Sequence, residues 1–135
     1  MRPRVTWWWA VALYMIAIFV LSSMSTVPQP PVPGIDKPEH YIAYGGLAII
    51  AFLAVRQSRK NWNMLAVALA AIAIASAYGM TDEFHQSFVP ARTPDIWDWV
   101  TDVLGAISGA LIASLTIRLK QGGIRWKIRK KKAMK

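Results

Sequence analysis

Residues 95–120 read DIWDWVTDVLGAISGALIASLTIRLK. The stretch is long and apolar enough to cross ~30 Å of hydrocarbon, which takes about 20 residues, yet it opens with Asp95, Asp98 and Asp102. At helical periodicity, positions 95, 98, 102, 105 and 109 share one face, so the acids stand in line with Gly105 and Gly109. Glycines spaced GxxxG let helix backbones approach closely. A carboxylate facing lipid costs about 3 kcal/mol or more. The acidic, glycine-bearing face therefore points into a bundle and needs polar partners there.

Those partners come with three more apolar segments. Trp7 to Met24 carries no formal charge and is followed by Pro28, Pro30, Pro31 and Pro33. It exceeds the roughly 7–15 residues of a signal-peptide core and is read as a retained helix. Tyr41 to Val55 follows Pro38, a residue suited to a first helical turn, and Met64 to Met80 is rich in alanine, with Ala66, Ala70, Ala73 and Ala77 as its expected packing stripe. The expected architecture is all-α, an integral membrane four-helix bundle over residues 1–120 with helices at about 6–24, 39–56, 62–86 and 95–118. A basic tail covers 121–135, and Gly122-Gly123 is expected to break the last helix before it.

The charges orient this bundle. Arg2 and Arg4, then Arg56, Arg59 and Lys60, then Arg118 onward would share one side of a four-span chain, which the positive-inside rule assigns to the cytoplasm. Both termini are then cytoplasmic and the chain is multi-pass in a bacterial cytoplasmic (inner) membrane. Trp7, Trp8, Trp9 and Trp62 mark the inner boundary, Trp97 and Trp99 the outer one. Nine of the sixteen Lys and Arg lie in the last eighteen residues, beside an apolar span. That placement points to anionic inner-leaflet lipids as the partner of the tail, not to nucleic acid. GxxxG also offers a homodimer surface through Gly105 and Gly109, although packing within the chain has first claim on it. With no cysteine, disulfides and thiolate chemistry are excluded.

All seven acidic residues and both histidines fall in two windows, Asp36 to His40 and Asp82 to Asp102, which the topology brings to the outer end. Lys37 and Arg92 are the cations found in those windows. Three helix ends thus deliver Asp36, Lys37 and His40, then Asp82, Glu83, His85 and Gln86, then Asp98 and Asp102. An acid/base site would use His40 or His85 as proton carrier and Asp82, Glu83 and Asp98 as orienting carboxylates. Asp36, Lys37, Gln86, Arg92 and Asp102 would bind the ligand, with Arg92 and Lys37 clamping an anionic group. No HExxH-like pair or cysteine set is present, so local spacing assigns no metal ligands. The competing reading is a non-enzymatic scaffold in which the same residues form a structural network tying helices together.

The order Asp36-Lys37-x-x-His40, then Asp82-Glu83-x-x-Gln86-x-Phe88-x-Pro90-x-Arg92, then Asp98 followed by Gly105 and Gly109 resembles the VanZ-like family of small bacterial membrane proteins. The chain departs from that pattern in carrying Asp102 where the family usually has Asn. The resemblance implies a role in the cell envelope and an association with glycopeptide (teicoplanin) resistance; it implies no particular reaction or cofactor. The expected ligand is a lipid-linked cell-wall precursor or lipid headgroup, phosphate-bearing, which the outer pocket recognises or modifies.

Overall fold

The structure, a computed structural model, describes residues 7–24, 37–90, 92 and 94–133. It consists of α1 (Trp7–Ser22), α2 (Lys37–Ser58), α3 (Met64–Gln86) and α4 (Ile96–Ala133). Local chemistry sets the ends. Pro38 occupies the first turn of α2, where a missing N–H costs nothing. Asn63 caps α3 by accepting the Ala66 amide at 2.8 Å. The Asp95 carboxylate accepts the Trp97 amide at 2.9 Å and so caps the start of α4.

The helices run up, down, up and down. The Trp8 indole donates to Ser58 Oγ at 2.8 Å, joining the start of α1 to the end of α2, while Ser23 Oγ lies 2.9 Å from His85 Nε2, joining the end of α1 to the end of α3. Three helices, α2, α3 and the Ile96–Gly123 part of α4, are long and apolar enough to cross a membrane. α1 is apolar but has 16 residues, about 24 Å at ~1.5 Å per residue, short of the length expected for a full span. It nevertheless reaches both ends of the bundle through the two contacts just described.

Small side chains fill the interior and large ones face outward. Ala48, Ala51, Ala71, Ala75, Ala106 and Ala110 are fully buried around Leu47, Phe52 and Val67, whereas Leu13, Ile16, Leu65, Leu69, Leu111, Ile112 and Leu115 are exposed. Water would not tolerate so large an apolar surface; lipid does, and close packing of small residues is how helices associate within it. The chain is a membrane protein. The GxxxG face is occupied within the chain: a Cβ at Gly105 would collide with the Tyr41 carbonyl oxygen and one at Gly109 with that of Gly45. α2 and α4 thus meet backbone to backbone.

Two expectations change. The packing stripe of α3 is not Ala66, Ala70, Ala73 and Ala77, of which the last two are exposed. It is Val67, Ala68, Ala71, Ala75, Gly79, Asp82 and Gln86. The reason is polar: Asp82 and Gln86 have to be inside, and that fixes the rotation of the helix. α4 also does not break at Gly122-Gly123 but runs for 38 residues, about 57 Å. Each helical glycine costs only about 1 kcal/mol, and neither has anything within 4 Å for a turn to pack against. From Arg118 to Gly123 this helix is exposed, having left the bundle.

Candidate functional site

At the end of the bundle where α1 and α3 finish and α2 and α4 begin, α2 and α4 are cross-linked by two rungs. Lys37 Nζ donates to Asp98 Oδ1 at 2.7 Å and to Asp95 Oδ2 at 3.1 Å. One turn further in, His40 Nδ1 lies 3.0 Å from Asp102 Oδ1. The steps between rungs, i+3 on α2 and i+4 on α4, keep each pair on facing sides. Asp98 and Asp102 are buried, Asp102 completely, while Asp95 is half-exposed. The Trp97 amide and the Lys37 ammonium hold the Asp95 carboxyl below the usual carboxylate range.

α3 closes the third side. Gly79 makes room for Asp102, since a Cβ there would stand 2.6 Å from Asp102 Oδ2. Glu83 Oε2 accepts the Asp95 amide at 3.0 Å. Glu83 and Asp95 also line a cavity of about 340 Å³ with Trp99 between the ends of α3 and α4. Gln86 Nε2 donates to Asp82 Oδ2 at 3.1 Å, and both residues are buried. Tyr44, one turn below His40, stacks on its ring with centroids 6.3 Å apart and planes 10° from parallel.

A cavity of about 190 Å³ opens between α1, α2 and α3. Ile18, Leu21 and Ala43 form its apolar wall; His40, Tyr44, Asp82, Gln86 and Arg92 supply its polar one, with Glu39 at its edge. Two buried polar atoms of its lining residues, Ser22 Oγ and Tyr44 Oη, have no hydrogen-bond partner among the described residues, and neither do Glu83 Oε1, from the lining of the α3–α4 cavity, and Asp102 Oδ2. Such atoms are rare in folded proteins and mark a place where water, an ion or a ligand belongs.

The structure therefore brings together Lys37, His40, Glu83, Asp98 and Asp102 on one side of α2, and His40, Asp82, Gln86 and Arg92 around the cavity. It does not bring His85 into either group. That ring is held by Ser23 and packs on Phe19 of α1 with centroids 4.5 Å apart. Asp36 lies outside the described residues. Sequence reasoning passed over Tyr44 and Gly79 as site residues, although Tyr44 stands at i+4 from His40, a spacing that announced a shared face. It also missed that one ligating atom each of His40, Glu83 and Asp98 lie within 4.8 Å of one another. No local motif records that cluster, because its members come from three helices.

No solved structure matches the chain. A protein of Schizosaccharomyces pombe described as uncharacterized protein C11E3.10 is 26% identical over 102 residues, covering 76% of this chain; the matched part is 60% of that protein's length. The model of the VanZ/LLP1 family matches residues 7–118, from the first residue of α1 to the point where α4 leaves the bundle. The chain belongs to the VanZ/LLP1 family.

Proposed function

We propose that this membrane protein recognises or modifies the phosphate-bearing headgroup of an amphipathic envelope lipid in the cavity between α1, α2 and α3. One observation carries the reading: a single cavity has an apolar wall from Ile18, Leu21 and Ala43 facing the guanidinium-bearing Arg92 and the imidazole of His40. At about 190 Å³ it falls below the ~300–1,000 Å³ of pockets that enclose a whole ligand. It suits a headgroup whose acyl or prenyl chain stays in the bilayer. Arg92 is the anion clamp, since a planar guanidinium matches phosphate oxygens in pairs.

His40, oriented through Nδ1 by Asp102, lines the same cavity, a place that His85 does not share. In this reading the pocket is the outer end of the bundle, the basic end lies in the cytoplasm of a bacterial inner membrane, and the exposed basic part of α4 rests on anionic lipid. A relative in Schizosaccharomyces pombe favours a ligand shared by bacterial and yeast membranes over a bacterial cell-wall precursor, and makes glycopeptide resistance one outcome among several. The scaffold reading draws support from the mutual pairing of Lys37 with Asp98 and of His40 with Asp102. The buried atoms without partners favour a ligand over that reading. Among the described residues, six carboxylates, Glu39, Asp82, Glu83, Asp95, Asp98 and Asp102, stand with two formal cations, Lys37 and Arg92, at this end. An anion binds here only together with a counter-charge.

The test is lipid capture by the purified full chain in detergent, read by native mass spectrometry, with undecaprenyl phosphate and phosphatidylglycerol as probes and phosphatidylcholine as zwitterionic control. Preferential retention of an anionic phosphate-bearing probe over the zwitterionic control, lost in Arg92→Gln with melting temperature unchanged, supports the reading. Equal retention of all three lipids, or an Arg92→Gln variant that captures like the parent, rejects it.

A further inference from the structure

We propose that His40, Glu83 and Asp98 bind a divalent transition-metal ion, with Asp102 positioning His40 behind it. One ligating atom from each of the three lies within 4.8 Å of the others, the span of two metal–ligand bonds of about 2.0–2.4 Å set across an ion. The cluster joins α2, α3 and α4, and existing hydrogen bonds leave one donor atom on each residue for the metal. His40 Nδ1 is engaged by Asp102, which leaves Nε2. Glu83 Oε2 accepts the Asp95 amide, while Oε1 is buried and has no partner among the described residues. Asp98 Oδ1 accepts Lys37, which leaves Oδ2.

The partner behind the histidine is the second independent sign. Metal-bound imidazoles characteristically direct their other nitrogen at a carboxylate, which fixes ring orientation and strengthens the ligand. The fully buried Asp102 carboxylate, seated against Gly79, occupies that place. A mixed imidazole and carboxylate set without thiolate suits Zn²⁺ or its first-row neighbours more than Mg²⁺ or Ca²⁺, which take oxygen ligands. Three protein ligands leave a coordination position open, as sites that act on a ligand do. His40 also lines the α1–α2–α3 cavity and Glu83 the α3–α4 cavity, so an ion held by both stands between the two. A +2 charge also supplies the counter-charge that the surplus of carboxylates demands. The ion site deepens the headgroup reading but stands on its own geometry, so it is tested without lipid.

The purified chain in detergent, stripped with EDTA and dialysed, is titrated with ZnCl₂ by calorimetry. The expected result is one saturable site per chain, with an absorption-edge spectrum of nitrogen and oxygen ligands that includes imidazole. Glu83→Gln and Asp98→Asn should abolish that site, and Asp102→Asn should weaken it about 10–100-fold, the usual loss when a ligand's supporting partner is removed. Lys37→Gln should act in the opposite direction and tighten binding roughly tenfold, because a neighbouring +1 charge is gone. A purely structural network predicts no such gain. Absence of saturable binding by the folded parent chain overturns the proposal and needs no variant to interpret. So does zinc binding that Glu83→Gln and Asp98→Asn leave intact. Lipid capture that persists in EDTA beside absent zinc binding overturns the ion site while the headgroup reading stands.

Discussion

Gly79→Ala is the substitution that separates backbone propensity from site geometry. In the middle of an ordinary helix, replacing glycine by alanine stabilises by about 1 kcal/mol. Here the new Cβ would stand 2.6 Å from Asp102 Oδ2 and 3.2 Å from its Cβ and Cγ, where ordinary contact begins near 3.5 Å. The carboxyl must retreat by about 1 Å. Asp102 Oδ1 is 3.0 Å from His40 Nδ1, so a shift of that size takes the pair out of hydrogen-bonding geometry. Losing a buried hydrogen bond to an ionisable partner costs about 1.5–3 kcal/mol, and overpacking adds about 1–3. Against the gain in propensity, the net is a destabilisation of roughly 1.5–5 kcal/mol. Reversible unfolding in mixed detergent micelles, followed by circular dichroism, measures it. A double-mutant cycle locates it: in an Asp102→Ala background the clash disappears, and Gly79→Ala should become neutral or mildly stabilising. A Gly79→Ala protein as stable as its parent, or an equal cost in both backgrounds, would refute the account of how α3 and α4 share this space.

Other consequences are as direct. Gly109→Leu drives a side chain into the Gly45 carbonyl of α2; it should cost about 3 kcal/mol or more and abolish the His40–Asp102 contact in histidine NMR, whereas Leu111→Ala on the exposed face should leave that contact alone. The Asp95 carboxyl is held below its usual range, so its contribution to stability is complete above about pH 3.9, the ordinary aspartate value, and fades as pH falls through the lower folded value. Acid unfolding curves of parent and Asp95→Asn should converge only in that acid limb, and parallel curves throughout would contradict the assignment. For orientation, Ser87→Cys at the site end should react with an impermeant maleimide on intact cells and Ser58→Cys only after permeabilisation; the reverse order would invert the topology.

How far the sequence reached depends on the kind of force at each position. The acidic face of α4 was readable because a carboxylate in lipid is so costly that 98, 102, 105 and 109 had to turn inward together, whereas Asp95 stays half-exposed ahead of the helix. Lys37 and Arg92 stood out as cations within acidic windows, and both lie at the site. The rotation of α3 was misread because alanines are nearly indifferent to their surroundings, while the outcome was decided by Asp82 and Gln86 further along. His85 was grouped with His40 by residue type, yet the approach of Ser23 and Phe19 that captures it is a tertiary event with no local signature. The same holds for the His40, Glu83 and Asp98 cluster. The continuation of α4 through Gly122-Gly123 shows a weak local penalty overruled by good helix formers on either side.

The backbone contact between α2 and α4 also acts as a ruler for side-chain length. Because Gly105 rests on Tyr41 and Gly109 on Gly45, the two helices are so close at the site that the shortest acid spans the gap: aspartate at 98 reaches Lys37 and aspartate at 102 reaches His40. The acid that crosses from α3 to the start of α4, Glu83, is the longer one. The choice between Asp and Glu at these positions is thus set by distance as much as by charge. Asp102→Glu, conservative in chemistry, would press an extra methylene against Gly79 and the His40 ring, and so count as a change of size in a place with none to spare.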